Sequence, residues 1–383
     1  MSFRRWVLLT SSLFLFFLVM KSYSMIQAGN IKRGNFHYYF KYSQEELDTL
    51  GGESNYLLSK ESIDKWDNIM FRIVEDNKLP PTDASRLYTY LLMGQKEFAL
   101  LTYANSSNFS GSVDFLMRSI ICEIVPEECS NIKIITNDEY SEKLGELVFS
   151  KLISRILTES NNLVEYERLE GEENWEGNSP VTPDAGSWQA WFIESGDQFR
   201  AVPPYEYGSE KDIADLAIVK NAVVNITNDQ YQASEYWAGS PGSITPSGIW
   251  LSLANQYANE RSINFSDYLT MRANLAATMQ DAFISCWDTK FTYWTKRPNM
   301  RDKEIITSIP TPNFPSYTSG HSTVSAAAAE VLSFYFPEYK DYWMDMAEEA
   351  RDSRLWSGIH FPQDNDRGFE MGQKIGKYAI SLF

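Results

Sequence analysis

Only three histidines occur in the 383 residues, and two of them keep company suited to chemistry. His321 follows Ser319 and Gly320 at the head of an alanine-rich run, "SGHSTVSAAAAEVLSFYF". A Ser-Gly pair opening a helix offers a hydroxyl, unpaired backbone N–H groups and the positive end of the helix dipole, which together form a place for an anion. Gly320 lets a ligand approach the backbone closely. His360 lies in "SRLWSGIHFPQDND", four residues before Asp364. At that spacing Asp364 can accept from one imidazole nitrogen and leave the other free as a ligand or nucleophile. Arg354 falls on the stripe marked by Trp343, Ala347 and Ala350, so an apolar face carries a guanidinium that an anion would satisfy. A third segment, "KFTYWTKRP", sets Lys290 and Arg297 seven residues apart, two helical turns on nearly one face. Trp287 and Trp294 lie along that stripe, and Pro298 stops the helix. Each segment alone has a plainer reading, in which Lys290 and Arg297 reach outward over tryptophan or Ser319 simply caps a helix. His37, in "FHYYF", has no such neighbours and reads as structural.

The elements that must position these groups are helical. Apolar residues recur at three- and four-residue steps through "DASRLYTYLLMGQKEFALLTYA", "EKLGELVFSKLISRILTES" and "FSDYLTMRANLAATMQDAFISCWDTKFTYW", while strand-like alternation is scarce. The fold class is mainly α, a helical bundle or two bundles packed together. Residues 25–160 form an N-terminal helical region. Residues 161–210 make an acidic connection rich in Pro, Gly and Trp, wrapped over the surface because Trp188, Trp191 and Phe192 need burial. Residues 211–383 form a C-terminal helical region that holds all three segments. The repeat Gly368, Gly372, Gly376 and Ala379 predicts a last helix packed backbone-close to its neighbour.

A formal net charge of −17 excludes nucleic acid or an anionic membrane surface as the main partner. Residues 1–24 read as an export signal or anchor, with Arg4 and Arg5 before a short apolar run and Ser22 and Ser24 at a cleavage position. The expected location is therefore periplasmic or extracellular, with membrane contact only through that leader if it is retained. Cys122 and Cys129 either form a small disulfide loop or stay as buried thiols, and Cys286 is a buried odd cysteine.

Read in order, K-x6-R-P, then S-G-H, then S-R-x5-H-x3-D resembles the three-part signature of the vanadium-dependent haloperoxidase and type 2 phosphatidic acid phosphatase (PAP2) superfamily, in its haloperoxidase-like branch. The resemblance rests on Lys290, Arg297 and Pro298; Ser319, Gly320 and His321; and Ser353, Arg354, His360 and Asp364. It extends over roughly residues 75–383. One departure is Thr318, where the family has proline, which is expected to loosen the turn. The resemblance implies that Lys290, Arg297, Ser319, Gly320, Arg354 and His360 hold vanadate or a substrate phosphate. His360 would bond vanadium or attack phosphorus, Asp364 would orient it, and His321 would act as acid and base. Trp287 and Phe314 match aromatic positions on the halide side of chloroperoxidase-type members.

Two chemistries follow from the resemblance. A haloperoxidase would carry vanadate and oxidise halide with hydrogen peroxide. A phosphomonoesterase would need no cofactor and would pass through a phosphohistidine at His360. The aromatic positions favour the first. A non-catalytic oxyanion-binding protein is the third reading. No G-x-G-x-x-G or Walker loop supports a nucleotide cofactor.

Overall fold

The computed structural model describes residues 38–383 apart from 52–53, 107–108, 135–137 and 162–165. The leader and His37 lie outside these. Thirteen α-helices and four short 3-10 turns account for the regular structure of the described residues, with three isolated bridges and no strand. In chain order the helices are α1 (Gln44–Asp48), α2 (Lys60–Asp76), α3 (Pro81–Ser106), α4 (Asp114–Ile124), α5 (Glu139–Asn161), α6 (Glu210–Val224) and α7 (Asn228–Tyr236). They continue as α8 (Thr245–Arg261), α9 (Phe265–Tyr293), α10 (Pro298–Arg301), α11 (Gly320–Tyr335), α12 (Lys340–Trp356) and α13 (Pro362–Ile380). The mainly α expectation holds. No described helix is long and apolar enough to cross a membrane.

Helix α9 is the axis of the molecule. Asn264 caps it by accepting from the Asp267 N–H at 2.9 Å, and from Asp267 to Phe291 every residue is buried. A helix covered on all sides must run through the core rather than along its edge. Its flanks are α3, α11 and the connection, and one continuous apolar core reaches from Leu50 to Ile375.

The connection is pinned to α9 by satisfied polar groups. Asp281 accepts the backbone N–H groups of Trp191 and Phe192 at 2.7 Å and of Ile193 at 3.1 Å. Arg155 stacks over Trp191 at 3.9 Å and donates to the Ala190 carbonyl. Farther along, Arg200 forks onto Asp288 at 2.6 and 2.7 Å. Trp188 and Trp191 are buried as their composition demands.

This connection also corrects the expected end of α9. The seven-residue spacing predicts helix up to Pro298, yet α9 stops at Tyr293 and Trp294 turns left-handed at φ 52°. The backbone N–H groups of Trp175 and Lys296 meet the carbonyls of Trp294 and Glu173, so the acidic connection pairs with residues 294–296 and draws them off the helix. Arg297 therefore stands in extended backbone ahead of α10, and Pro298 starts that helix instead of ending the previous one.

Helices α11 and α13 pack closest of all. A Cβ on Gly372 would sit 2.0 Å from the Thr323 carbonyl oxygen, and one on Gly368 would sit 2.7 Å from that of Ser319. Both obstacles are backbone, which cannot swing aside. Gly372→Ala is expected to destabilise the fold by at least ~2 kcal/mol. Gly320→Ala, whose Cβ would meet nothing closer than the Trp287 ring at 3.5 Å, should leave the melting temperature unchanged. Thermal melts of the two variants side by side check the contrast.

Cys122 and Cys129 are joined as a disulfide, and Cys286 is free and buried.

Candidate active site

The three segments meet where α9, α11, α12 and α13 converge. Helix α12 buries Trp343, Ala347, Ala350, Ser353 and Arg354 on one face, the stripe read from the sequence. The turn after it, with Gly358 at φ 78°, brings His360 back toward α9. Helix α13 then supplies Asp364 in its first turn.

His360 is held from both sides. Its Nδ1 lies 3.0 Å from Asp364 Oδ2, and its Nε2 lies 3.0 Å from Arg297 Nη1. A guanidinium only donates, so Nε2 is the accepting nitrogen and the ring proton sits on Nδ1, facing the carboxylate. Asp364 Oδ2 also accepts from Ser316 Oγ at 2.5 Å and the Phe361 N–H at 3.1 Å. Burial nevertheless raises Asp364 to about 6. Burial, with Arg297 and Lys290 nearby, holds His360 well below the ordinary imidazole range, so the ring is neutral with one directed lone pair.

The cations around it are buried and incompletely paired. Arg297 donates from Nε to the Phe314 carbonyl at 3.0 Å and from Nη1 to that of Ile359 at 2.9 Å, but its Nη2 has no partner. Arg354 donates to Ser353 Oγ and the Ser234 carbonyl, and its Nη1 is unpartnered. His321 Nε2 is unpartnered too, while the Trp237 and Ala238 carbonyls act on its ring. Burial lowers Arg297 to about 10 and Arg354 to about 9, and burial beside Arg354 depresses His321. Guanidinium groups left this way need an acceptor, and an anion relieves both the missing hydrogen bonds and the mutual repulsion.

Lys290 departs from a simple clamp. Its ammonium is buried and donates to the carbonyls of Pro315, Ser316 and Thr318 at 2.9, 2.8 and 2.5 Å. Those three bonds use all its protons, so Lys290 holds the loop before α11 and contributes its charge to the site from behind. Burial lowers it to about 7. Thr318 is not loosened as expected: it is fully buried, and its carbonyl serves both Lys290 and the Cys286 thiol. Ser319 caps α11 and gives its own N–H to the Asp364 carbonyl at 2.9 Å. Gly320 borders the cavity above the site. Trp287 and Phe314 form one wall, ring centroids 4.8 Å apart, with Lys290 and Arg297 about 5 Å from the Phe314 centroid.

Among solved structures, the fold matches that described as the first bacterial vanadium-dependent iodoperoxidase, with a TM-score of 0.67 at 20% identity over 87% of this chain and 98% of that one. It also matches the holo form of a bacterial vanadium-dependent chloroperoxidase, with a TM-score of 0.61 at 11% identity over 93% and 98%. The fold is that of the bacterial vanadium haloperoxidases. Residues 337–383, which carry Arg354, His360 and Asp364, match the family model described as the VCPO second helical-bundle domain. No curated protein sequence matches the chain.

Within this haloperoxidase fold, Lys290, Arg297, Ser319, Gly320, His321, Arg354, His360 and Asp364 come together, with Trp287 and Phe314 beside them. Sequence reasoning missed Ser316, whose hydroxyl bridges Asp364 and, at 3.4 Å, His360 Nδ1. It also missed the carbonyls of Ser234, Trp237 and Ala238, which hold Arg354 and His321. Ser316 sits in the same loop as the S-G-H turn, which was its one available signal.

Because burial lowers Lys290 to about 7, its amine is partly unprotonated in neutral to mildly alkaline solution. A bound oxyanion favours the protonated form. Its binding between pH 7 and 9 should therefore take up protons, and its affinity should fall as pH rises through that window. Calorimetric titration with phosphate or vanadate in buffers of different ionisation enthalpy measures the uptake.

Proposed function

We propose that this protein is a vanadate-dependent haloperoxidase that oxidises halide with hydrogen peroxide. The observation that carries the reading is the set of three buried, unpartnered nitrogens, Arg297 Nη2, Arg354 Nη1 and His321 Nε2, around a His360 whose Nε2 lone pair is fixed by Asp364. Those residues fit a tetrahedral oxyanion: two guanidinium groups, the Gly320 N–H and Ser319 hydroxyl as donors, and one neutral imidazole as ligand.

When bound, vanadate supplies a Lewis acid that activates hydrogen peroxide toward halide without a change in oxidation state. The chain does the rest. Arg297 and Arg354, both fully buried, neutralise the anion at the floor of the cavity, where their charges are less screened than in water. Lys290 fixes the loop that presents Ser319 and Gly320. Asp364 and Ser316 keep the His360 proton on Nδ1, so that Nε2 always faces the anion. His321, neutral and open at Nε2, takes a proton from peroxide and returns one to the leaving oxygen. Trp287 and Phe314 give a halide a weakly hydrated, polarisable wall.

The leader and the Cys122–Cys129 disulfide support an exported protein folded in an oxidising compartment. The test is a pair of assays on the purified chain. Bromide- or chloride-dependent halogenation of an activated diketone should need both vanadate and peroxide. Vanadate-inhibited hydrolysis of p-nitrophenyl phosphate without any halogenation would replace this reading with a phosphatase.

A further inference from the structure

Above the oxyanion floor lies a cavity of about 420 Å³. His321, Arg354 and His360 line its bottom, and Phe283, Trp287 and Phe314 line one side. Its remaining wall comes from Val181 in the connection and from three loops that each contribute proline: Pro80 and Pro81 before and at the start of α3, Pro241 and Pro246 around the start of α8, and Pro310 and Pro312 before the S-G-H turn. No carboxylate and no lysine lines it.

A halide ion, hydrogen peroxide and a hypohalous acid are a few ångströms across, and none of them needs such a space. The volume falls within the range that holds a small organic molecule, roughly 300–1,000 Å³. Its chemistry is equally selective. An apolar wall binds by removing apolar surface from water, and proline fixes its own φ, so the wall is set before any ligand arrives and little ordering entropy is lost on binding. A cation entering would meet Arg354 and the buried cations behind it, with no carboxylate to offset them.

We infer that this cavity binds the organic acceptor of the reaction, a neutral and largely apolar arene or alicycle, so that halogen is transferred inside the protein rather than by a freely diffusing reagent. The inference rests on the haloperoxidase reading above. Halide, hydrogen peroxide and one proton give hypohalous acid and water. The acceptor's carbon then attacks the halogen; a C–X bond forms, the O–X bond breaks, and the displaced hydroxide leaves as water with the proton from the breaking C–H bond. The apolar walls hold the acceptor over His321 and His360 while this happens.

The experiment compares 2-naphthol with an equimolar small polar acceptor, with vanadate, peroxide and bromide present. Wild-type product ratios should differ about tenfold from those given by reagent hypobromous acid, since an apolar pocket discriminates by that order. Val181→Asp puts a carboxylate in the wall, and Pro241→Asp puts one at the exposed rim; neither touches the oxyanion donors. Both should return the ratio to the reagent's value with peroxide consumption unchanged, and saturation-transfer NMR should show naphthol binding weakened at least about tenfold. Melting curves identify a variant that fails to fold, and the rim variant then stands in for the wall variant. A wild-type ratio equal to the reagent's, or naphthol binding that does not saturate, overturns this inference and leaves the haloperoxidase reading intact. Absence of halogenation from both acceptors overturns the two together.

Discussion

Replacing His360 by alanine is expected to lower kcat/KM for halide oxidation by more than ~10³-fold, as removal of a group that bonds the reacting centre does. The cause is specific. His360 Nε2 presents a lone pair toward Arg297 and the other donors, and Asp364 keeps it aimed by accepting from Nδ1 at 3.0 Å. Asp364→Asn should act through the same hydrogen bond. An amide can offer Nδ1 a donor instead of an acceptor, letting the ring proton move to Nε2, where it would face Arg297 and the anion. Activity should then fall although every cation is still present. Steady-state kinetics with vanadate titrated to saturation separates the two effects. His360→Ala should remain inactive at any vanadate concentration, whereas Asp364→Asn should recover in part. Equal activity of His360→Ala and wild type would remove His360 from the chemistry.

Arg354→Met is expected to split stability from function. Arg354 is completely buried on the apolar face of α12, burial lowers it to about 9, and its Nη1 has no partner. Methionine fills similar space with no charge to desolvate, so the variant without anion should melt at or above the wild-type temperature. The anion should feel the opposite. Truncating one partner of a buried, hydrogen-bonded charge pair costs about 2–5 kcal/mol, an affinity loss of roughly 30-fold to several thousandfold. Wild type should therefore gain about 2.7 kcal/mol of stability at vanadate concentrations a hundred times its Kd, and the variant should gain at most about 0.9 kcal/mol at the same concentration. Melts with and without vanadate read both numbers. A variant that melts well below wild type without anion and still responds to vanadate would make Arg354 a structural residue.

What could be read from the sequence was set by local spacing. Arg354 followed Trp343, Ala347 and Ala350 at helical steps, so its face was known before its neighbours were. The His360–Asp364 hydrogen bond is one turn long, and the glycine face of α13 is a four-residue repeat that only a close backbone would require. What escaped depended on distant chain. Arg297 leaves α9 because residues 173–175, over a hundred positions earlier, pair with the backbone at 294–296. Lys290 looked like a free cation on a helix stripe, and three carbonyls of the 315–318 loop claim it. The cavity walls come from segments near positions 80, 240 and 310, and no single stretch of sequence contains their shape.

The most direct measurement is a crystal structure of the protein soaked in orthovanadate, with the vanadium located by its anomalous scattering. The vanadium should lie within bonding distance of His360 Nε2, with Arg297 Nη2, Arg354 Nη1 and the Gly320 N–H each donating to one of its oxygens and His321 Nε2 within hydrogen-bond reach of the bound anion. Vanadium found elsewhere, or a site that stays closed by the Arg297–His360 hydrogen bond at saturating vanadate, would contradict the account.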